Sequence, residues 1–531
     1  MAIEGIPWLH RLPHPRLPED DTPFERRWVA LIVVSLEIFL MALDITIVGV
    51  VAPTLSAGLG ATATQIQWAF DAFTVVMGGF VVLGGGLAER YGRKSFLQIG
   101  IAVFAAGAVV SAFAPSPGIL IAGRAISGLG AAISFPTSLS IIGALFPPNE
   151  RPRAIGIFAA FSAAGLASGP LVGGVLIDWF WWGAAFLVVV PFALVAIVAT
   201  AVVVPPSRNP QKEGLDVSGA LLSVFGLGGI VFGVIEGPDR GWANVVVLAS
   251  LGVGLTCTAA FIAWELRCKS PLFDLRVFKD SRVVCGGLAM AIVYFTFNSG
   301  QLLIPQYLGY VLNLSSLQTG LMMSPLGICL ILLSPRSGRL VERFGQRTML
   351  LFSLMLMTTG MIMLALLPVW GGTANVLAGL CVFGVGFGLI VAPATSVIMV
   401  AVPKEKAGDG SAVNMISRQI GGAVGVAITG SLAAAIYRHG LSLSEFSLTG
   451  AQQSAVMRSL SGVIMLHDKI DAATAARLDH MADGMMTKGI AVAMAFSALV
   501  ALLVAGMTFF TLRQHPSPST SLAAQPALNV E

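Results

Sequence analysis

GGLAERYGRK, at residues 85–94, returns in the second half of the chain as GRLVERFGQR at residues 338–347. Each copy forms a short, positively charged loop after a long apolar segment. The glycines of such a loop allow a tight turn between two helices. Its acid can sit at a helix N-terminus and pair with an arginine. Two copies at matching places predict a chain built from two related halves.

The composition decides the class of protein. Of 531 residues, 56% are hydrophobic and 11% are charged, and the mean hydropathy is +0.85. Soluble proteins carry roughly 25% charged residues, so this chain has too few to cover the surface of a soluble particle. These values exclude a soluble enzyme and a disordered chain, and they predict a membrane protein.

Apolar segments long enough to cross a bilayer recur along the chain. A spanning helix needs about 20 apolar residues, and helices are favoured because lipid offers no water to unpaired backbone groups. The sequence predicts an all-α polytopic membrane protein with fourteen transmembrane helices, in two six-helix bundles with two inserted helices between them. The segments are residues 28–53, 66–87, 96–114, 119–144, 154–177, 184–204, 217–236, 245–264, 283–305, 317–335, 348–368, 373–398, 411–436 and 486–511.

Lysine and arginine set the expected orientation. Most of the 31 Lys and Arg residues lie in loops on the side that also holds both termini, and basic loops stay in the cytoplasm. We expect a multi-pass protein of the cell (inner) membrane with both termini cytoplasmic. The predicted domains are a cytoplasmic tail (1–27), an N-terminal six-helix bundle (28–205), two inserted helices with flanking loops (206–282), a C-terminal six-helix bundle (283–511) with a long outer loop (437–485), and a cytoplasmic tail (512–531).

The sequence lacks the usual signs of a cofactor site. The six histidines lie outside the apolar segments and the five cysteines show no CxxC spacing, so we expect no metal site. No phosphate-binding GxxxxGKS or GxxxxGKT loop occurs, which excludes transport driven by ATP. The scattered basic residues do not indicate a nucleic-acid surface. Because no histidine lies within a predicted span, proton chemistry inside the membrane must use carboxylates.

Charged residues within the predicted spans are candidates for that chemistry, because such residues are costly and usually face a cavity or a partner. Glu37 and Asp44 are seven residues apart in span 1 and therefore share one helix face. Asp71 lies near the outer end of span 2, and Arg124 lies in the outer part of span 4. Burial favours the neutral form of a carboxylic acid, so a buried acid can exchange a proton for a cationic substrate. The sequence leaves alternatives open, which are a structural polar contact for Asp44, an interfacial acid in contact with water for Asp71, and a backbone-carbonyl or helix-packing contact for Arg124.

The repeated loops are candidate gates on the cytoplasmic face. A charged latch there can close that face and break when the two bundles rock. A basic anchor that only fixes orientation is the alternative, and the second copy favours the latch. The candidate residues are Gly85, Glu89, Arg90, Gly92, Arg93 and Lys94 in the first loop and Gly338, Glu342, Arg343, Gly345 and Arg347 in the second.

The two loops resemble the signature loop of the major facilitator superfamily, with Glu89 and Glu342 in place of its usual aspartate. Further stretches resemble motifs of the fourteen-span drug:proton antiporter family within it. These are LDITIVGVVAP at residues 43–53, GLASGPLVGG at 165–174, PLFDLRVF at 271–278 and GSAVNMISRQIGGA at 410–423. Residues 182–191 depart from the family pattern, since they lack the Arg and Asn that often open span 6. The resemblance covers nearly the whole chain.

The resemblance implies multidrug efflux, and with it antibiotic resistance, driven by a proton gradient. It places Asp44 and Asp71 where many multidrug exporters carry acids, and Arg124 at the family's span-4 arginine. The matching antiporter motif of span 5, in which small residues allow close packing and the proline a hinge, consists of Gly165, Gly169, Pro170, Gly173 and Gly174. The candidate cavity-lining residues are Phe73, Phe295, Asn298, Gln301 and Asn414.

We therefore expect an antiporter with no enzymatic activity and no cofactor other than the proton gradient. Its partners would be a small amphiphilic substrate of cationic character, protons and membrane lipids, with no nucleic acid, and we expect a monomer. Three alternatives stay open. They are a dedicated exporter of one endogenous metabolite or lipid, a non-transporting membrane sensor on the same scaffold, and a symporter that imports its substrate.

Overall fold

A computed structural model shows a helical protein, and the residues that it describes contain no β-strand. Those residues are 25–147, 150–207, 216–268, 275–402, 407–446, 448–458, 460–464, 466 and 470–513. Among them, 14 helices are long and apolar enough to cross a membrane, which confirms the predicted all-α polytopic fold. Most of both predicted tails, and residues 271–274 of the fourth motif stretch, lie outside the described residues.

The helices of the first half account for the first six spans. The sixth span consists of two consecutive helices, α6 and α7. The bounds are α1 (Arg27–Leu59), α2 (Ala63–Tyr91), α3 (Arg93–Ala112), α4 (Pro117–Leu145), α5 (Arg151–Trp179), α6 (Ala184–Leu187) and α7 (Val189–Val203).

The remaining helices form the inserted pair, the second half and the long loop. The inserted pair is α8 (Val217–Arg240) and α9 (Val245–Glu265). The second half consists of α10 (Ser281–Gln306), α11 (Ser316–Phe344), α12 (Gln346–Ala365), α13 (Thr373–Ala401), α14 (Ala407–Gly440) and α17 (Ala472–Arg513). Two short helices, α15 (Gly450–Arg458) and α16 (Leu460–Ile464), lie in the long loop.

The two halves repeat the same packing. In the first half α1 packs along α5, while α2 and α3 both pack on α4. In the second half α10 packs along α14, while α11 and α12 both pack on α13. The halves meet where α5 contacts α11, α2 contacts α14 and α1 contacts α10. Two related bundles with α8 and α9 inserted between them in the chain are therefore present, as the sequence predicts.

Matching capping boxes begin the second helix of each half. Thr62 accepts a hydrogen bond from the backbone N–H of Gln65, whose side chain accepts one from the N–H of Thr62. Ser315 and Gln318 make the same pair of bonds at the start of α11. Each box satisfies two backbone donors that the first turn of a helix leaves free. The internal repeat thus extends to the local chemistry that sets the helix ends.

A single glycine ends the second helix of each half. Gly92 joins α2 to α3 and has a φ of 127°, and Gly345 joins α11 to α12 and has a φ of 84°. Side chains other than hydrogen disfavour this backbone region. The glycines of the repeated loops therefore make the tight turns that the sequence predicts. The face of the molecule that holds them is called the motif face below, and the other is called the opposite face.

Alanine at either turn should destabilise the protein. We expect Gly92→Ala and Gly345→Ala each to lower the free energy of unfolding by about 1–3 kcal/mol, because a side chain strains a backbone held at positive φ. Thermal unfolding of the purified variants measures the effect. Gly338→Ala is the matched control, because Gly338 lies in the same motif with open space around it. Equal losses in all three variants would contradict the explanation.

The long loop on the opposite face is shorter and more ordered than the predicted range 437–485. The helix α14 continues to Gly440, and α17 begins at Ala472. Apolar side chains of this loop and of the adjoining ends of α14 and α17 build a small core, which consists of Tyr437, Leu441, Leu443, Phe446, Leu448, Val456, Leu460, Val463, Leu466, Leu478 and Ala482. The loop is thus a packed cap on the opposite face.

An ion pair ties the start of α1 to the chain just before α5 on the motif face. Arg27 Nε lies 2.8 Å from Glu150 Oε2. The hydrogen bond from Arg27 holds the pKa of Glu150 below its ordinary value. Both groups are solvent-accessible, so this pair contributes little to stability.

Candidate functional site

A buried ion pair joins α1 to α4. Arg124 Nη1 lies 2.6 Å from Asp44 Oδ2, and both side chains are almost fully buried. The other carboxylate oxygen of Asp44 accepts no hydrogen bond from the described residues. The structure therefore brings together two of the four charged residues that the sequence singles out. A buried pair of this kind is sensitive to the loss of either charge, because the remaining charge is left without compensation.

Arg124 is held in place by more than its carboxylate partner. Its Nε donates a hydrogen bond of 3.1 Å to the backbone carbonyl of Ala69 in α2. Its guanidinium lies over the ring of Phe73 at 4.9 Å and over the ring of Phe186 at 5.7 Å. Aromatic faces attract cations at these distances. Arg124 can therefore stay in place when Asp44 changes its protonation state.

Glu37 forms a second buried acid site on α1. Ser134 donates a hydrogen bond of 2.6 Å to its Oε1, and Ser138 donates one of 3.0 Å to its Oε2. Both serines belong to α4, as does Arg124, so Glu37 and Asp44 face the same neighbouring helix. Sequence reasoning missed the serines. Their spacing of four residues, which continues the face of α4 that carries Arg124, is the signal that could have found them.

Asp71 lies apart from these two sites. It is fully buried, and among the described residues neither of its carboxylate oxygens has a hydrogen-bond partner. On α2 it shares a face with Gln67 and Thr74, which lie against Gly430 and Gly422 of α14 respectively. Asp71 therefore sits where the two halves meet. A buried acid without partners is costly, and separation of α2 from α14 would open this place to water.

A cavity lies between the halves near the opposite face. Its walls come from α1, α2, α10, α14 and α17 and from the loop helices α15 and α16. The lining residues are Ala52, Ser56, Ala63, Ile66, Gln67, Leu302, Leu303, Gln306, Tyr310, Gly430, Ala433, Ala434, Tyr437, Arg438, Met457, Leu460 and Met486.

None of the five residues expected to line a cavity belongs to the wall of this one. Phe73 lies under Arg124, and Phe295 packs against Phe496 of α17. Asn298 lies against Gly422, and the backbone carbonyl of Gln301 lies against Gly49. Asn414 donates a hydrogen bond of 2.7 Å to Thr395. These contacts place the five residues at or near helix–helix contacts, and their cavity-lining role stays a prediction.

The first repeated loop connects helices of its own half. Ser140 of α4 donates a hydrogen bond of 3.1 Å to Glu89 and accepts one of 2.7 Å from Arg93. Lys94 donates to the backbone carbonyl of Ala201 in α7 at 2.6 Å. Arg90 lies over the ring of Tyr91. These contacts fix the motif-face end of the first bundle.

The second loop does the same in the second half. Arg347 donates to the backbone carbonyl of Phe509 in α17 at 3.3 Å and lies over its ring. Gln346 donates a hydrogen bond of 2.6 Å to Ser396 of α13, and Arg343 lies over the ring of Phe344. Glu342 lies in the last turn of α11. The gating role of both loops stays a prediction, since the contacts named here join helices within each bundle.

The predicted antiporter motif places the backbone of α5 against two other helices. A Cβ on Gly165, Gly169 or Gly173 would collide with successive turns of α1 at Phe39, Leu43, Thr46 and Ile47. A Cβ on Gly174 would collide with the backbone of Ser316 and Leu317 at the start of α11.

Glycines of α11 in the second half lie against α5 in turn. A Cβ on Gly320 would collide with Pro170, and one on Gly327 would collide with Ala167. The motif thus serves both the α1–α5 contact within the first bundle and the α5–α11 contact between bundles. Pro170 lies inside α5 at this second contact.

Arg418 makes a contact that sequence reasoning did not find. The hydropathy pattern places it near the cytoplasmic end of its span and suggests a side chain that reaches toward the membrane surface. In the structure its guanidinium lies 4.4 Å from the centre of the Tyr294 ring in α10. Tyr294, where α10 packs on α14, therefore binds the Arg418 guanidinium within the second bundle.

The sequence profile of the major facilitator superfamily matches residues 34–426. The multidrug resistance protein Stp of Mycobacterium tuberculosis is 34% identical over 408 residues, which are 77% of this chain and 76% of that protein. The multidrug efflux pump LfrA of Mycolicibacterium smegmatis is 31% identical over 519 residues, which are 97% of this chain and 99% of that protein. The second match extends over almost all of both chains, so it includes the inserted helices and the long loop.

Solved structures support the fold. A bacterial homologue of the human lysosomal transporter Spinster, in an inward-facing and unoccupied conformation, superposes with a TM-score of 0.68. The match covers 93% of this chain and 99% of that one, at 17% sequence identity. Identity at this level shows the shared fold alone.

Proposed function

The chain belongs to the major facilitator superfamily, and we propose that it is a proton-driven antiporter that exports lipophilic cations. Membership of the family, fourteen spanning helices and relatives named for multidrug resistance and efflux make it a multi-pass membrane transporter and not an enzyme. The use of protons and the cationic character of the substrate are the parts that we propose. The buried Asp44–Arg124 pair is the observation that carries the proposal.

The pair suits proton exchange because its stability depends on the charge of one carboxylate. When Asp44 is ionised, Arg124 compensates its charge at 2.6 Å. When Asp44 takes up a proton the attraction is lost, while the Ala69 carbonyl and two aromatic rings still hold Arg124. The two protonation states therefore favour different arrangements of α1 against α4. Such a difference lets proton binding shift a conformational equilibrium.

A lipophilic cation can compete with the proton for the acids of α1. Glu37, surrounded by two serine hydroxyls, and Asp44 are the two carboxylates on that helix, and Asp71 is the carboxylate at the boundary between the halves. A cation that neutralises one of these carboxylates displaces the proton bound there. In a one-for-one exchange of a proton for a monovalent cation no net charge crosses the membrane, so the pH gradient drives export; each further proton gains about 2.3 kcal/mol per 100 mV of membrane potential.

We further propose that the protein lies in the inner membrane with its motif face and both termini in the cytoplasm. The excess of Lys and Arg in the loops of that face supports this orientation. In this orientation the outer ends of α2 and α14 are in contact, with Gln67 against Gly430, and the loop helices α15 and α16 contribute to the cavity wall. Protons enter from that side when the halves rock, and substrate leaves through it.

Transport by inverted membrane vesicles tests the proposal. With an acidic lumen, we expect ethidium to accumulate, accumulation to collapse when a protonophore is added, and added ethidium to raise the luminal pH. Accumulation that survives collapse of the proton gradient would contradict proton coupling. Uptake of neutral amphiphiles without uptake of ethidium would contradict the cationic substrate class. Vesicles without the protein are the control.

The variant Glu37→Gln tests whether the second acid of α1 takes part in proton coupling. Glutamine keeps the shape of the side chain, and its carbonyl can still accept a serine hydrogen bond, so we expect normal folding. Because the amide cannot bind and release a proton at neutral pH, we expect the pH change driven by ethidium to fall about tenfold. A luminal pH dye measures it. Unchanged coupling would assign Glu37 a structural role, and Ser127→Ala on α4, the helix that carries Ser134 and Ser138, is the control.

A further inference from the structure

The inserted helix α8 lies at the boundary between the two bundles. It contacts α2 of the first bundle and α14 of the second. Apolar side chains from all three helices form one cluster, which consists of Val75 of α2, Val231 and Ile235 of α8, and Ala423 and Ala427 of α14. The helix is therefore part of the contact between the halves and not an external spacer.

Polar contacts continue this boundary to the opposite face, where α8 ends. Trp68 of α2 donates a hydrogen bond of 3.1 Å to Glu236 of α8. On the other side, Ser431 of α14 donates one of 2.9 Å to the backbone carbonyl of Val234. Successive turns of α8 are thus bonded to both bundles.

The last turn of α8 presents one carboxylate to both bundles at once. Asp239 Oδ2 accepts a hydrogen bond from the hydroxyl of Thr64, near the start of α2. Asp239 Oδ1 forms an ion pair with Arg438, near the end of α14. Arg438 also donates a hydrogen bond of 3.1 Å to the backbone carbonyl of Pro238. One residue of the insertion thereby ties the first bundle to the second.

We propose that Asp239 is a latch that keeps the opposite face closed. Opening of that face separates α2 from α14, so Asp239 has to release either Thr64 or Arg438. The latch lies at the end of the molecule away from the repeated loops. Arg438 also lines the cavity, so whatever enters the cavity meets the side chain that holds the latch closed.

The accessibility of the cavity wall tests the latch. Ala52 lines the cavity and is 1% exposed, so Ala52→Cys reports whether the cavity opens. The reporter is placed in a chain whose five cysteines are replaced with alanine, purified and reconstituted in nanodiscs. We expect Asp239→Ala to raise the rate of labelling with a charged maleimide about tenfold, because it removes one ion pair and one hydrogen bond between the halves.

A matched control lies one residue away. Arg240 forms an ion pair of 2.5 Å with Glu236 within α8, and this pair does not connect the bundles. Arg240→Gln should leave the labelling rate within about twofold of the parent, as expected for loss of one exposed ion pair. An equal increase in Arg240→Gln and Asp239→Ala would overturn the proposal, because the charge of the region would then explain the effect.

An exchange of the two charges between positions 239 and 438 distinguishes loss of the latch from general damage to the fold. Arg438→Asp places two acids together and should raise the labelling rate at least as much as Asp239→Ala. The double variant Asp239→Arg/Arg438→Asp restores an ion pair of opposite polarity and should return the rate to within about threefold of the parent. A double variant that labels as fast as Arg438→Asp alone, or an Asp239→Ala variant that labels like the parent, would overturn the proposal.

Discussion

Replacement of Asp44 with Asn should reduce proton-coupled ethidium transport by at least about a hundredfold. Asparagine occupies the same volume, but it can neither carry the charge that compensates Arg124 nor exchange a proton. A missing proton carrier removes the driving force altogether, whereas loss of a binding contact costs about tenfold for each 1.4 kcal/mol. Transport into inverted vesicles, with luminal pH recorded at the same time, measures both sides of the exchange.

The same variant should also be less stable, and the two effects have to be separated. Arg124 is 2% exposed, and a buried charge that loses its partner costs about 3–5 kcal/mol. The double variant Asp44→Asn/Arg124→Gln removes both charges, so we expect it to recover most of the thermal stability and none of the coupling. Asp44→Glu, which keeps the charge, should retain part of the coupling. Coupled transport by the double variant would refute the role of the pair.

Alanine at position 169 should cause the second largest loss. A Cβ there would collide with Thr46 and with the backbone carbonyl of Leu43 in α1, on the turns that flank Asp44. Overpacking of a close helix contact costs about 1–3 kcal/mol, and relief of the clash moves α1 away from α5. We expect Gly169→Ala to lower the melting temperature and to reduce transport about tenfold or more.

The helix α5 provides the matched control for this effect. Gly156 has open space around it, and alanine is favoured over glycine in a helix by about 1 kcal/mol. Gly156→Ala should therefore keep or raise the melting temperature and leave transport unchanged. Equal melting temperatures for the two variants would show that the α1–α5 contact tolerates a side chain, against the geometry described above.

Much of the fold could be predicted from the sequence because lipid imposes simple rules. Long apolar segments must form helices, and the repeated loops at 85–94 and 338–347 reveal the two halves. Turn geometry followed as well, since Gly92 and Gly345 take the positive φ that glycine permits. The cap formed by the long loop was not predicted, because its core is built from short apolar stretches without a spanning pattern.

The site was harder to predict because it depends on which faces of the helices meet. Glu37 and Asp44 share a face of α1 by spacing alone, yet only the structure gives their partners, Ser134 and Arg124, on α4. Asp71 has the same hydropathy context but shares a face of α2 with Gln67 and Thr74, which lie against α14. Spacing shows which residues of a span share a face but not which helix that face meets, so the cavity-lining role of Phe73, Phe295, Asn298, Gln301 and Asn414 stays a prediction.

The contact between α5 and α11 bears on how fast such a protein can switch sides. Backbone lies against backbone at Gly174, Gly320 and Gly327, so few side chains interlock there and little has to unlock when one rigid body rolls over the other. If the halves rock as rigid bodies, the polar contacts that have to break lie at the opposite face, where Asp239 joins Thr64 and Arg438. A close backbone contact between α5 and α11 together with polar contacts at the helix ends would allow substitutions at the ends to change the rate of switching while the α5–α11 contact stays the same.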